Sequence, residues 1–128
     1  MKDFYTITEL TREFGISTRT LRFYEDEGLV KPMRRGRTRL FRPADRVLIK
    51  QIMRGKRLGF SIAEIRDIIE MYKSPPGEAG QLKKIIEGVE DKRAELRQKR
   101  KDIEDTLNEL DQVEDACMNR LAELRVTS

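Results

Sequence analysis

The stretch from about Glu78 to Leu124 limits the possible folds of this sequence more than any other feature. It contains no proline and only two glycines, and every seventh residue from Leu82 onward is apolar or cysteine. A second column, four residues on, is apolar at both ends and charged in the middle. This pattern predicts a long helix with a narrow apolar seam, which is marginally stable alone in water and needs a partner.

The seam predicts self-association. Because its ends and its middle differ in polarity, we infer antiparallel pairing with a second copy of the same helix, with a parallel coil as the competing arrangement. Cys117 lies on the seam, so we predict a small buried seam residue rather than a sensing thiol. The predicted dimerisation residues are Leu82, Val89, Leu96, Ile103, Leu107, Leu110, Cys117, Leu121 and Leu124.

Short helices with clear boundaries are predicted near the N-terminus. Thr6 and Glu9 have the spacing of a capping box, which predicts a first helix that Gly15 ends. Ser17 is a good N-cap for a second short helix that runs to about Asp26. Two short helices joined by a tight glycine-containing turn form the helix-turn-helix pattern.

The next segments have a different character. Residues 29–41 predict a small hairpin with its tip near Arg35 and Gly36. Pro43 suits the first position of a third helix, and Ser61 opens a fourth with a second capping box. The sequence SPPG then breaks the chain. We therefore expect a mainly α protein divided into a head, a break, a long helix and a tail, at residues 1–73, 74–77, 78–124 and 125–128.

Charge is distributed unevenly between the two halves of the chain. Residues 1–60 hold 15 Lys and Arg against 7 Asp and Glu, a net charge of +8. Residues 61–128 hold 12 against 16, a net charge of −4, which gives the total of +4. A basic head before a mildly acidic helix points to a polyanion as the partner of the head.

Three groups of basic residues suggest that this polyanion is duplex DNA. On the second short helix, Arg19 and Arg22 lie one turn apart beside Thr18 and Phe23. A helix fits the major groove, where arginine can pair with guanine and an apolar edge can meet the thymine methyl group. Leu21 and Tyr24, on the opposite face, stay available for packing. We call this segment the recognition helix.

The hairpin carries the second group, five arginines in nine residues with no acid among them. Such a density of guanidinium groups favours a phosphate backbone as partner over the role of a solubilising loop. These arginines are Arg34, Arg35, Arg37, Arg39 and Arg42.

The third group forms a stripe on the third helix and comprises Arg46, Lys50, Arg54 and Arg57. Beside the other two groups it predicts a second row of phosphate contacts. If six to ten such cations meet phosphate, the logarithm of affinity should fall with the logarithm of salt with a slope of roughly −5 to −9.

Several classes of function are disfavoured by composition. The sequence has no histidine, one cysteine, no Walker loop, no GxGxxG motif and no metal box. We therefore predict no catalytic residue, no metal site, no cofactor and no enzymatic activity. Without a long apolar run or a secretory signal, the expected location is the cytoplasm.

The segment YTITELTREFGISTRTLRFYEDEGL at 5–29 resembles the N-terminal signature of the MerR family of bacterial transcriptional regulators. The similarity continues through Arg39-Leu40-Phe41 and through RGKRLGFSIAEI at 54–65. It implies a winged helix-turn-helix DNA-binding head, in which the hairpin is the wing, followed by a long dimerisation helix forming an antiparallel coiled coil. It also implies a homodimer that distorts a promoter dyad so that RNA polymerase can use it, under control of an effector whose identity stays unknown.

The resemblance also assigns contacts to individual positions. Tyr24 joins Arg19 and Arg22 on the recognition helix, and two aromatic positions depart from the family pattern, with Phe23 and Phe41 in place of tyrosine. The predicted DNA-binding residues are Thr18, Arg19, Arg22, Phe23, Tyr24, Arg34, Arg35, Arg37, Arg39, Phe41, Arg54, Lys56 and Arg57.

Three segments resemble a short subgroup of the family that regulates catabolism of leucine and isovalerate or related acyl-CoA substrates. These segments are RFYEDEGL, RRGRTRLF and RGKRLGFS. The alternative function is that of a coiled-coil interaction protein whose basic head binds polyanions, such as acidic proteins or a membrane surface, without sequence preference. A nucleic-acid-modifying enzyme is a third, disfavoured, hypothesis.

Overall fold

The computed structural model describes residues 2–127 of the chain. Short helices and a small sheet precede one long helix, so the predicted mainly α architecture, with a winged helix-turn-helix and a long C-terminal helix, is confirmed. The elements are β1 (Tyr5–Thr6), α1 (Ile7–Phe14), α2 (Thr18–Asp26), β2 (Met33–Arg35), β3 (Thr38–Phe41), α3 (Pro43–Arg57), α4 (Ile62–Lys73) and α5 (Gly77–Thr127).

The predicted caps define the ends of the short helices. The Thr6 hydroxyl accepts from the backbone N–H of Glu9, whose carboxylate accepts from the backbone N–H of Thr6. Gly15 ends α1 in the left-handed conformation, with φ of 66°. The Ser17 hydroxyl accepts from the Thr20 N–H at 3.0 Å and so caps α2. These local bonds satisfy helix-end donors without help from the rest of the fold.

The sheet joins the wing to the start of the chain. Its strand order is β1-β3-β2, and both pairs are antiparallel. The hairpin with its tip near Gly36 is confirmed, whereas the pairing of β1 with β3, Tyr5 opposite Phe41, was not predicted. Two residues of β1 carry too little pattern to be assigned a partner from sequence.

The hydrophobic core lies in the N-terminal part of the chain. Its centre contains Leu10 of α1, Leu21 of α2, Phe41 of β3 and Ile49 of α3, none of which has any exposed surface. The remaining buried apolar residues are Tyr24, Leu29, Val30, Ile52, Phe60 and Ile65. Each short helix therefore contributes one apolar face and leaves the other face to solvent.

The chain divides into two compact units, one ending at Gly88 and the other beginning at Val89. About the first three turns of α5 thus belong with the head, whereas the sequence placed the division at 74–77. Residues 125–127, predicted as a tail, are helical, and Ser128 lies outside the described residues. Among the helices that the structure describes, none is long and apolar enough to span a membrane.

Candidate nucleic-acid interface

The recognition helix, α2, has one buried and one exposed face. Leu21 is fully buried and Tyr24 is 6% exposed, which fixes the helix against the core. The other face carries Arg19 and Arg22, both exposed, and Phe23, which is 44% exposed. The predicted residues Thr18, Arg19, Arg22 and Phe23, together with Asp26, line a depression of about 540 Å³.

Tyr24 supports the helix rather than lining this depression. Its ring centroid lies 6.4 Å from that of Phe23, and the two planes are tilted by 51°. Burial raises the pKa of the Tyr24 phenol, so the hydroxyl stays protonated at neutral pH and can only donate or accept a neutral hydrogen bond. Because Tyr24 as a whole is only 6% exposed, this predicted DNA-binding residue offers little surface to a ligand.

Phe41 does not take part in the exposed surface, which contradicts its assignment as a DNA-binding residue. It ends β3, and none of its surface is exposed. Its backbone pairs with Tyr5, and its ring belongs to the core with Leu10 and Ile49. The physical reason is the alternation of strand side chains, which turns the last residue of β3 inward after the exposed tip.

The wing, residues Met33–Phe41, separates its arginines into two pairs. Arg34 and Arg39 lie opposite each other in the strand register, and both donate to the carboxylate of Glu25, at 2.8 and 2.6 Å. Arg35 and Arg37 flank Gly36 at the tip, and both are exposed. The structure therefore ties the base of the wing to the recognition helix and leaves the tip arginines exposed.

The carboxylate of Glu25 stays ionised between these two guanidinium groups. Burial by itself would raise the pKa of Glu25, but the hydrogen bonds and charges of Arg39 and Arg34 outweigh it, and the net pKa lies below the ordinary value. The Glu25 side chain is 17% exposed, so solvent screens this cluster less than it screens a surface pair.

The row of cations predicted on α3 is interrupted at its first member. Arg46 donates through Nε to Glu13 of α1 at 2.9 Å and through a second nitrogen to the same carboxylate. Its guanidinium also lies 5.8 Å from the ring centroids of Tyr5 and Phe14. The hydrogen bond from Arg46 lowers the pKa of Glu13, so the pair stays charged. Arg46 is thus a tie between α1 and α3.

The other end of α3 agrees better with the prediction. Arg54, Lys56 and Arg57 are exposed in the last turns of the helix. Cations are favoured there because the helix dipole places partial negative charge at the C-terminus. These three side chains are therefore accessible to a phosphate backbone.

The comparisons with known proteins identify the family. The family model described as "MerR HTH family regulatory protein" matches residues 5–72, and the one described as "MerR, DNA binding" matches residues 46–113. The chain belongs to the MerR family. It is therefore a DNA-binding transcriptional regulator and not an enzyme.

Relatives with assigned names share about a quarter of their residues with this MerR-family chain. HTH-type transcriptional regulator HmrR of Rhizobium leguminosarum bv. viciae is 27% identical over 112 residues, which cover 87% of this chain and 84% of HmrR. Heavy metal-dependent transcription regulator 1 of Rhizobium meliloti is 26% identical over 80% of this chain and 69% of its own length.

Solved structures of the family share the fold. A MerR-family transcriptional regulator from Bacillus cereus superposes with a TM-score of 0.64 and 26% identity, over 85% of this chain and 78% of its own. HiNmlR, a MerR-family regulator lacking the sensor domain and bound to promoter DNA, superposes with a TM-score of 0.59 and 26% identity, over 74% of this chain and 76% of its own.

Within the MerR-family head, sequence reasoning missed the acidic residues that hold the basic ones. In the sequence, Glu25 and Glu27 suggest only a signal that ends the recognition helix. Instead, Glu25 holds the wing, and Glu27 accepts from Arg66 of α4 through both its carboxylate and its backbone oxygen. The available signal was the surplus of arginine around these acids, but sequence alone does not show which arginine folds against which acid.

The described residues contain no cluster of three or more His, Cys, Asp or Glu side chains arranged to hold a metal ion. Cys117 of this MerR-family chain is exposed in the single protomer. The predicted seam residues Leu96, Ile103 and Leu110 are about 60% exposed in the same protomer.

Proposed function

We propose that this MerR-family regulator binds a promoter dyad as a homodimer and distorts the DNA between the half-sites to control transcription. The observation that carries the proposal is the exposed face of the recognition helix. Arg19 and Arg22 lie on it beside Phe23, and Glu25 holds the wing against the same helix. A helix of this kind enters the major groove while the wing meets the flanking phosphates.

The apolar seam of α5 supports the dimer. At the centre of the seam, Ile103 is 61% exposed, and Leu107 and Leu110 are 55% and 59% exposed. Several consecutive seam residues of this size at heptad spacing are expected to bury against another helix. We propose that the other helix is α5 of a second copy, in antiparallel orientation, with the parallel coil as the competing arrangement.

Family membership and the two-fold symmetry of the proposed dimer support control through DNA shape. A dimer that grips two half-sites can change the bend and twist of the DNA between them, at base pairs that it does not touch. We propose that the dimer shares its promoter with RNA polymerase and acts through this distortion. HiNmlR, bound to promoter DNA in its structure, supports the DNA-binding mode. A regulator of this kind works where the chromosome is, which supports the cytoplasmic location.

The regulated genes and the effector form a second level of the proposal. On the sequence similarity described above, we propose genes of branched-chain amino-acid or acyl-CoA catabolism. One relative is named as a heavy metal-dependent transcription regulator. This chain, however, has one cysteine and no histidine, the side chains from which a soft-metal site is formed. Two titrations of the protein–DNA complex compare the effector classes, one with isovaleryl-CoA and one with Zn²⁺ or Cu⁺. The proposal is supported if only the acyl-CoA releases the protein from the DNA or changes the bend of the DNA.

Fluorescence anisotropy tests the DNA-binding proposal directly. We expect the purified protein to bind a duplex from upstream of its own gene far more tightly than a shuffled duplex, with a steep salt dependence. Arg22→Ala should reduce this preference, whereas Lys101→Ala, which removes an exposed charge from α5, should leave it unchanged. Equal binding of both duplexes by the native protein would favour the alternative, an interaction protein with a polyanion-binding head.

A further inference from the structure

The base of the wing contains a charge arrangement that is unfavourable by itself. Arg34 and Arg39 are direct partners across β2 and β3, and like charges at such positions repel each other. The carboxylate of Glu25 in α2 lies between the two guanidinium groups and offsets their repulsion, accepting hydrogen bonds of 2.8 Å from Arg34 and 2.6 Å from Arg39. Its two carboxylate oxygens are divided between the two arginines, so one acid bridges two strands and a helix.

We propose that Glu25 is a positioning residue that holds the wing against the recognition helix and thereby sets the ratio of specific to non-specific DNA binding. This inference rests on the proposed function for its DNA-binding consequence, but not for its structural part. The specific complex requires the wing and the recognition helix to meet the DNA together. A wing that is already in place before binding avoids the cost of ordering it on the DNA.

The same contact withholds positive charge from non-specific binding. Two arginines bonded to a carboxylate are less available to phosphates of an arbitrary duplex, and Glu25 adds a negative charge beside the DNA-facing helix. The tip residues Arg35 and Arg37 stay exposed for phosphate. Glu25 therefore divides the wing into a structural base and a DNA-contacting tip. This division favours the specific DNA complex, which depends on the position of the wing, over non-specific complexes, which depend on charge alone.

The neighbouring acids do not share this role. Asp26 is exposed and lines the depression of the recognition helix, and Glu27 pairs with Arg66 of α4. Neither acid is therefore a suitable control. Glu70→Gln, at an exposed position of α4, removes the same charge by the same substitution without touching the wing or the recognition helix. Glu25→Gln keeps the shape of the side chain and removes its charge, and Glu25→Asp keeps the charge but shortens the reach to the two arginines.

The structural part of the proposal is tested without DNA. Hydrogen exchange at the backbone amides of residues 33–41 should be faster in Glu25→Gln and in Glu25→Asp than in the native protein and in Glu70→Gln. Exchange in α1 and α3 serves as the internal measure of intact folding. Unchanged protection of the wing in both Glu25 variants would overturn the proposal.

The DNA-binding part uses the same four proteins with dyad and shuffled duplexes across a salt series. For Glu25→Gln we expect stronger binding to shuffled DNA and a salt slope steeper by about 0.9 for each freed arginine that reaches a phosphate. The preference for the dyad should fall by roughly tenfold, the cost of ordering two arginine side chains on binding. Glu25→Asp should lose the same preference although its charge is retained. An equal loss in Glu70→Gln, or a full preference in Glu25→Asp, would show that only net charge matters and would refute the role of Glu25.

The proposed function and the inference about Glu25 are refuted by different results. If the native protein does not prefer the dyad, the proposed function fails, and hydrogen exchange still decides whether Glu25 holds the wing. If the native protein prefers the dyad and the Glu25 variants keep the full preference, the proposed function stands and the inference about Glu25 is wrong.

Discussion

Replacing Gly88 with alanine tests the packing of α5 onto the head. Gly88 is buried in α5, and a Cβ atom built on it would lie 2.5 Å from Cε1 and 3.0 Å from Cζ of Phe60. Ordinary contacts between carbon atoms are about 3.5–4.0 Å, so the ring or the helix must move. Phe60 is itself 7% exposed and part of the core, which limits the available movement.

Two opposing effects determine the size of the change. In an exposed helix, Gly→Ala stabilises by about 1 kcal/mol because alanine has the higher helix propensity. Overpacking of a filled core costs about 1–3 kcal/mol. We therefore expect Gly88→Ala to lower the free energy of unfolding by about 1 kcal/mol, which corresponds to about 3–5 °C in the melting temperature of a chain of this size.

Urea and thermal unfolding at one fixed protein concentration measure this change, since an oligomer is stabilised by mass action. The control is the pair Asn108→Gly and Asn108→Ala at an exposed position of α5, since the difference between the two variants reports the Gly-to-Ala propensity gain alone. Truncating the ring in a Gly88→Ala, Phe60→Leu double variant should recover part of the loss, which a double-mutant cycle quantifies. A gain of about 1 kcal/mol from Gly88→Ala, equal to the control, would refute the contact and with it the placement of the first turns of α5 in the head.

Three further predictions follow from the site. Arg22→Ala should cost about 1–3 kcal/mol on the dyad and relax base preference, whereas Arg37→Ala should weaken dyad and shuffled duplexes equally, as measured by anisotropy. Because the pKa of Glu25 is lowered from 4.5, its stabilisation is present above that value and is lost as pH falls through the lower folded value. The difference in unfolding free energy between the native protein and Glu25→Gln should therefore persist at neutral pH and vanish at strongly acidic pH. Leu107→Asp should convert a dimer to a monomer in light scattering behind size exclusion, because it places a charge in the apolar seam, and an unchanged mass would contradict pairing through α5.

The short helices and their ends could be predicted because the signals are local. Ser17 caps α2 through the N–H of Thr20, three residues away, and Gly15 supplies the left-handed conformation in which α1 ends. The wing could be predicted for the same reason, since its two strands flank a glycine turn. Each of these signals lies within a few residues, so no knowledge of the tertiary fold is needed to read it.

What escaped prediction depends on contacts between distant residues. Phe41 was expected on the surface, but β3 pairs with β1, with Tyr5 opposite Phe41, and the Phe41 side chain is fully buried in the core. Arg46 was expected at the DNA, but Glu13, more than thirty positions earlier, accepts its hydrogen bonds. Residue type and spacing are compatible with both roles, and only the fold selects between them.

The acidic partners therefore refine the number of cations expected at the DNA. Of the thirteen residues named as DNA-binding from the sequence, nine are cationic, and Glu25 holds two of these, Arg34 and Arg39. The other seven, Arg19, Arg22, Arg35, Arg37, Arg54, Lys56 and Arg57, are all exposed. Each phosphate contact contributes about −0.9 to the slope of log affinity against log salt, so contacts from all seven give about −6 per head. If Arg34 and Arg39 also reach phosphate, the slope becomes about −8 per head. A slope near −8 per head in the native protein would show that Glu25 releases the wing arginines on binding, and a slope near −6 would show that it retains them.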